Sequence, residues 1–503
     1  MTAPVLRQEG KQADCILRTG PAPRSLSGMK TQTDSLVRDL ARIIGPANVA
    51  TGEDAARWSS DWAGTTRWTP LAVARPASTA EVSEVVKLAA ARNVPVVPVS
   101  GNTGLTRATE AGGALMISLD RMSGIRDIRP EARIAVVEAG VVLARLHEAV
   151  EEHDLIFPLT FGARGSAMIG GALSTNAGGS NVVRYGSTRG LCLGLEVVLA
   201  DGRVLDLMSA LHKDNSGYDL RDLFIGAEGT LGIITGAVLR LFPKPRAYVT
   251  AMVACPSISG ALRLLNTLQA ETGGAVEAFE YMPGAYIDAH LERVANARPP
   301  FDARHDVNIM VEVGALSAHD AHPGPDGSIP IATQLEDSLE RLLESGEVLD
   351  AVVAQTQAQR AEMWARREAA ADVCLLRTPL VHNDIAVPVD KVDALIERTT
   401  RRATALDPGI RFLSVAHLGD GNLHFAAWPD THDPGIHAAI HALVEEETAA
   451  LGGSFSAEHG IGLSKLDPMA RHKSPVALDV MRTIKAALDP QNIMNPGKVL
   501  PPR

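Results

Sequence analysis

The sequence predicts an α+β protein of two mixed domains, and three observations carry that expectation. At 503 residues the chain is longer than one hydrophobic core fills, so two or three domains are expected. From Thr33 onward, helical patterns alternate with short β-branched strands that end in glycine turns. The segment "FPKPRAY", 242–248, has two prolines and no apolar alternation, which marks a domain boundary.

In chain order, residues 1–28 mix Gly, Pro, Ser and single charges without periodicity. They read as a disordered arm, or as upstream sequence ahead of a start at Met29. "TQTDSLVRDLARII" is a helix, and "STAEVSEVVKLAAARNV" is a second one that Ser78 or Thr79 can cap. "VPVVPVS" is a strand running into a glycine loop. Short strands such as "ALMISL", "IAVVEAGV", "LGLEVVLADG" and "GIITGAVLRLF" then complete a compact mixed domain, 29–245. A second α+β domain, 246–470, alternates strands with helices such as "ISGALRLLNTLQAE" and "IATQLEDSLERLLESG", with "SAHDAHPGPDGS" as a polar surface loop. Residues 471–503 are a helix and a tail punctuated by Pro and Gly.

Composition excludes several classes. Hydrophobic content of 46% with 21% charged residues is that of an ordinary soluble globular protein. A net charge of −11 argues against nucleic acid as the main partner. Cys15, Cys192, Cys255 and Cys374 are scattered, which is neither a disulfide framework nor a thiolate metal site, so a reducing cytoplasm is expected. No run approaches the roughly 18 apolar residues of a membrane span, and no signal-peptide core is visible.

Three glycine-rich segments stand out: "PVSGNTGLT" (98–106), "GARGSAMIGGALSTNAGGS" (162–180) and "KDNSGYDLRDLFIGAEGTLGIIT" (213–235). Glycines admit close backbone approach to a ligand, and successive N–H groups form anion nests suited to a pyrophosphate. Such loops also simply turn corners. GxGxxG between strand and helix is absent, which disfavours a Rossmann site.

"HLGDGNLH", 417–424, places two histidines around a Gly-Asp-Gly-Asn turn. A hairpin here would set His417 and His424 directly opposite, with Cβ atoms about 4.5–5.5 Å apart, close enough to share a metal. Histidines flanking a turn are also common as plain surface or core residues. "SAEHGIG", 456–462, supplies a carboxylate and a third imidazole in Glu458 and His459, with Gly460 and Gly462 permitting a bend. Two histidines and one carboxylate form a catalytic-type metal set. In "EMWARREAAADV" an acid-gripping arginine is available in Arg366 or Arg367, although either can pair with Glu362 or Glu368 on the helix surface.

In order and spacing these segments resemble the vanillyl-alcohol oxidase/p-cresol methylhydroxylase superfamily, and more narrowly its D-2-hydroxyacid dehydrogenase branch. The resemblance runs from about Thr33 to Val499. It implies a two-subdomain FAD-binding domain, a cap domain with an antiparallel sheet, and a C-terminal segment returning to the FAD domain. It implies that Ser100, Gly101, Asn102, Thr103, Gly104 and Thr106 cradle the pyrophosphate. Gly165, Ser166, Ile169, Gly170, Asn176 and Gly179 would line the flavin, with Gly229, Ile233 and Ile234 beside its ring or ribose and Asn495 reaching back from the C-terminus to the isoalloxazine. Asn102 stands where some relatives carry a flavin-linking histidine, which implies non-covalent FAD. His417, His424 and Glu458 would be metal ligands, His459 the general base, and Arg367 the grip on the substrate carboxylate, with His382 and Asn422 also at the substrate. Zinc is the family's commonest metal, and manganese, cobalt or iron suit the same donors. Ala371 and His382 stand where the hydroxyglutarate enzymes have a threonine and a lysine, which weakens recognition of a second carboxylate.

The expected activity is oxidation of a D-2-hydroxy acid, with electrons passed to an electron-transfer flavoprotein, a quinone or a cytochrome. A bulkier 2-hydroxy acid is the nearest alternative, and a non-redox metal hydrolase the rival from another class. A homodimer is compatible with the sequence, as is peripheral membrane contact in the event of a quinone acceptor.

Overall fold

A computed structural model describes residues 26–503 apart from 63 and 326, with side chains described from 33 onward. Residues 1–25, most of the expected arm, lie outside the described residues. The first helix, Leu26–Ile44, begins in the last residues of the expected arm, 1–28, and earlier than the apolar periodicity suggested. Leu36, Leu40 and Ile44 recur at four-residue spacing and face the first core. Burying side chains of this kind stabilises by about 1.5–3 kcal/mol each. Ser78, rather than Thr79, caps the helix Thr79–Ala91, its hydroxyl accepting the N–H of Glu81.

The N-terminal domain is built on two sheets. Strands Val49–Ala50, Ala72–Ala74, Leu115–Ser118 and Val96–Val99 lie side by side in that order, the last three mutually parallel. An antiparallel sheet follows, ordered Ile125–Arg129, Ile134–Glu138, Ile233–Arg240, Cys192–Val198, Val204–Leu207. One hydrophobic core is continuous between the two sheets. The tail returns to it: Ile493 and Met494 are buried in that core, and Asn495 N–H donates to the Val96 carbonyl at 2.8 Å.

The chain enters the second domain at Ala247–Ala254. This strand belongs to an antiparallel sheet ordered Asp350–Val353, Ala247–Ala254, Val307–Ala315, Val276–Pro283, Val415–His417, Asn422–Trp428, Val381–Ala386, with Arg411–Phe412 pairing Asn422–Trp428. Alternation along each strand gives the sheet two buried faces: Val249, Ala251 and Val253 join one core, Met252 and Ala254 the other. Helices Ile258–Glu271, Pro330–Glu344, Val392–Leu406 and Pro434–Ala450 cover the first face. The stretch expected as a polar surface loop contains one helical turn, Ala318–Ala321, capped by Ser317. Among the described residues no helix is long and apolar enough to cross a membrane.

Candidate active site

On its second face the large sheet carries ionisable residues where a core would be apolar. Glu280 pairs with His417, His417 with Asn422, and His424 with Asp384. Residues paired across strands or two apart along one share a face. Glu280, His417, Asn422, His424, Asp384 and His382 therefore all project to one side, continuing the row of Met282, Val415 and Ala426.

The histidine hairpin closes differently from the expected register. Its loop is Leu418–Gly421, His417 faces Asn422, and His424 faces Val415. The two histidines are thus diagonal neighbours rather than direct opposites. Their rings still meet, with centroids 5.3 Å apart and planes at 80°. His459 and His382 complete a group of four imidazoles: His424 to His459 is 5.8 Å, His424 to His382 is 6.4 Å, and His382 to His459 is 6.2 Å.

The loop that carries Glu458 and His459 is held by carboxylates from both domains. Asp384 Oδ2 accepts the backbone N–H groups of Ala457, Glu458 and His459 at 3.2, 3.0 and 3.0 Å. From the N-terminal domain, buried Glu228 accepts those of Ile461 and Gly462 at 2.7 and 2.9 Å. The Thr106 carbonyl takes those of Leu463 and Ser464. Gly460 and Gly462 have φ of 82° and 52°, and a Cβ on either would strike Glu228 or Thr106. Only glycine fits both demands.

Donor atoms converge here. His424 Nε2 lies 3.4 Å and His459 Nε2 3.9 Å from Glu458 Oε1. Together with Asp384, these residues form a cluster whose ligand atoms all lie within 4.8 Å of one another. His417, an expected ligand, falls outside this cluster. Its Nδ1 is committed to Glu280 Oε1 at 2.8 Å, so only Nε2 remains to bind anything else. Burial, reinforced by neighbouring His417, holds the pKa of His424 well below its usual value, so it is neutral as a ligand must be. Burial opposes protonation of His417 too, but the Glu280 carboxylate outweighs it and raises the pKa. Imidazole nitrogens around a carboxylate oxygen, backed by carboxylates, suit a divalent cation.

Arg367 lies in the last turn of the helix Gln357–Glu368, which a Thr356–Gln359 capping box starts and a bidentate Arg360–Glu312 pair anchors to the sheet. Its Nε is 2.7 Å from Glu280 Oε2, and the Glu280 side chain is wholly buried. Arg367 Nε and Nη2 are nevertheless buried without a well-aligned acceptor among the described residues, which leaves the guanidinium fit to take a carboxylate. Arg366 instead pairs with Glu362 and donates to the Arg298 carbonyl.

The expected cofactor residues divide into groups. Gly104 and Gly165 border open space, and Ser166 is exposed beside Gly165. Gly101, Gly170, Gly179 and Gly229 are packing glycines, pressed on Ser166, Ala139, Thr160 and Pro98. Ser100 lies against Gly171, and Thr103 is half-exposed in the first loop. Ile169, Ile233 and Ile234 have core side chains, so only their backbones are free to approach a flavin. The side chains of Asn102, Thr106 and Asn176 bond protein groups, namely Ser60 and Thr109, the His459 carbonyl, and the Arg189 N–H respectively, which leaves their backbones for a cofactor. Asn495 donates to the carbonyls of Ala108 and Glu228, while its buried Oδ1 has no partner among the described residues. Open space beside glycine backbone and an orphaned acceptor between the same loops fit a bound dinucleotide.

Asn422, expected at the substrate, donates both amide hydrogens inward, to Asp384 Oδ1 at 3.0 Å and the Ile385 carbonyl at 2.9 Å. It steadies Asp384. His382 is solvent-exposed, and desolvation by the protein crowded around it, with neighbouring His459, pushes its pKa down to about 4. Sequence reasoning missed Glu280, Asp384 and Glu228. Only Glu280 carried a local signal, an acid between Phe279 and Tyr281 in an otherwise largely apolar strand.

Comparison with known proteins agrees with this layout. Residues 70–208 match the family described as FAD binding domain, and 244–499 match FAD linked oxidases, C-terminal domain. The chain is 36% identical to mitochondrial D-2-hydroxyglutarate dehydrogenase of Bos taurus, covering 92% of this chain and 82% of that one. It is 36% identical to D-2-hydroxyglutarate dehydrogenase of Xanthomonas citri pv. viticola, covering 93% and 97%. Among solved structures, p-cresol methylhydroxylase with substrate bound superposes with a TM-score of 0.69 at 18% identity, covering 93% of this chain and 97% of that one. At that identity the likeness speaks for the fold.

Proposed function

The chain belongs to the FAD-linked oxidases, a family of FAD-dependent oxidoreductases, and from that premise we propose that it oxidises a D-2-hydroxy acid to the 2-oxo acid with help from a divalent metal, zinc by our reading. Membership of a flavin family removes the hydrolase alternative. One observation carries the reading: the imidazole–carboxylate cluster stands against the second glycine segment, where a Cβ on Gly178 would lie 2.8 Å from Glu458 Oε2.

When bound, FAD supplies the hydride acceptor and the cation lowers the pKa of a coordinated hydroxyl. His424, Glu458 and the Nε2 of His417 would hold the cation. Arg367 takes the substrate carboxylate in its planar fork and so fixes which face of C2 is presented. His459 receives the hydroxyl proton at Nε2, the nitrogen facing Glu458. FAD is held without a covalent link, and electrons leave to a separate acceptor. The test is anaerobic mixing of purified protein with D- and L-2-hydroxy acids, before and after chelation. Bleaching of the flavin by a D-acid, lost with chelator and restored by zinc, supports the proposal, and a flavin that no 2-hydroxy acid reduces refutes it.

A further inference from the structure

Asp384 belongs to the donor cluster, yet most of its lone pairs are already engaged. Oδ2 accepts three successive backbone N–H groups, and Oδ1 accepts the Asn422 amide. A carboxylate offers about two lone-pair sites on each oxygen, so Oδ2 is saturated, and the open site of Oδ1 is turned toward His424 rather than toward a cation. Two imidazoles turn the same edge toward it: His424 Nδ1 lies 3.8 Å from Oδ1, and His459 Nδ1 lies 3.7 Å from Oδ2. The opposite nitrogen of each ring then faces Glu458. Lys465 steadies the arrangement from behind, donating to the Asp384 carbonyl at 3.3 Å and to Ser456 Oγ at 3.0 Å.

We propose that Asp384 is a positioning residue for both halves of the chemistry: one buried carboxylate keeps the N–H of His424 and of His459 on Nδ1, leaving Nε2 of the first free for the cation and Nε2 of the second free to take the proton. It rests on the reading of His424 as a ligand and His459 as the base. A carboxylate behind a metal-bound imidazole fixes tautomer and ring orientation. Here the same group also holds the backbone of the loop that delivers His459, so base and metal ligand cannot be positioned independently.

The test uses flavin-loaded enzyme titrated with cobalt, whose visible bands report ligand geometry, together with steady-state kinetics. Asp384→Asn keeps size and loses charge. It should retain flavin, bind cobalt about 10–100-fold more weakly with altered bands, and lose kcat with little change in KM. Asp384→Glu, which restores the charge, should recover part of both effects. Wild-type affinity and bands in Asp384→Asn would overturn the proposal. Abolition of cobalt binding even at millimolar ion would overturn it as well, by making Asp384 a ligand. Absence of cobalt binding to the wild-type enzyme would instead defeat the metal reading on which the proposal rests.

Discussion

Replacing Glu280 with glutamine should cost the protein several kcal/mol, because of what it leaves behind. Glu280 is fully buried and the Arg367 side chain retains only 9% exposure, with Nε and carboxylate 2.7 Å apart. Glutamine keeps the shape, and its carbonyl can still accept from His417, so what is lost is the charge opposite Arg367. Removing one partner of a buried pair strands the other and costs about 3–5 kcal/mol. Urea denaturation of wild type and Glu280→Gln, followed by far-UV circular dichroism, measures this as a displaced midpoint. The companion variant Arg367→Met should also be destabilised, while the double variant should cost less than the sum of the singles, by roughly 1–3 kcal/mol, because neither charge remains unpaired. A Glu280→Gln loss below about 1 kcal/mol, the level of an ordinary substitution, or strictly additive singles, would refute the claim that Arg367 is held by this pair.

Three further outcomes are expected. Glu280 raises the pKa of His417 above 6.5, and a raised histidine contributes stability that is fully present below pH 6.5 and lost as pH rises through the folded-state value. In metal-free protein the thermal advantage of wild type over Glu280→Gln should therefore shrink as pH climbs above 6.5, and a gap that is flat with pH would count against it. Gly104 has nothing within 4 Å of a would-be Cβ, whereas one on Gly101 would meet the Ser166 carbonyl. Gly104→Val should stay within about 0.5 kcal/mol of wild type in cofactor-free stability but release FAD about tenfold more readily, a loss of roughly 1.4 kcal/mol. Gly101→Ala should destabilise the fold by about 1–3 kcal/mol, and thermal melts with dilution-release assays separate the two. Gly462→Ala places a side chain at φ 52° against Thr106, adding about 1–2 kcal/mol of backbone strain. Turnover should collapse while flavin absorbance persists, and unchanged kcat would refute the role given to that bend.

What was legible in the sequence was local. Asp-Gly in a short apolar context announces a hairpin, so the meeting of His417 and His424 could be read without coordinates. The register could not, because a four-residue loop closing on His417 and Asn422 looks the same in sequence as one closing a residue later. Glycine-rich segments announce close approach but not of what: Gly104 meets open space and Gly170 meets Ala139, and both are simply glycine in the chain. Thr106 and Asn102 illustrate the same limit, since a polar side chain in a loop reads as available until its partner is located.

The roles of Glu280, Asp384 and Glu228 were illegible for a different reason. Each acts on groups far along the chain: Glu280 on His417, Asp384 on residues 457–459, Glu228 on residues 461 and 462. Two of the three serve largely as acceptors for backbone N–H groups, which every sequence supplies at every non-proline position, so no pairing of residue types reveals them. Their arrangement nonetheless decides how the site is built. The cap sheet anchors one half of the 456–462 loop through Asp384, and the N-terminal domain anchors the other half through Glu228. A shift of either domain relative to the other would therefore move Glu458 and His459 away from His424, from the glycine segments, or from both. The interface between the domains is thus part of the site, and the distance from His459 to the glycine segments is set by two buried carboxylates, Asp384 and Glu228.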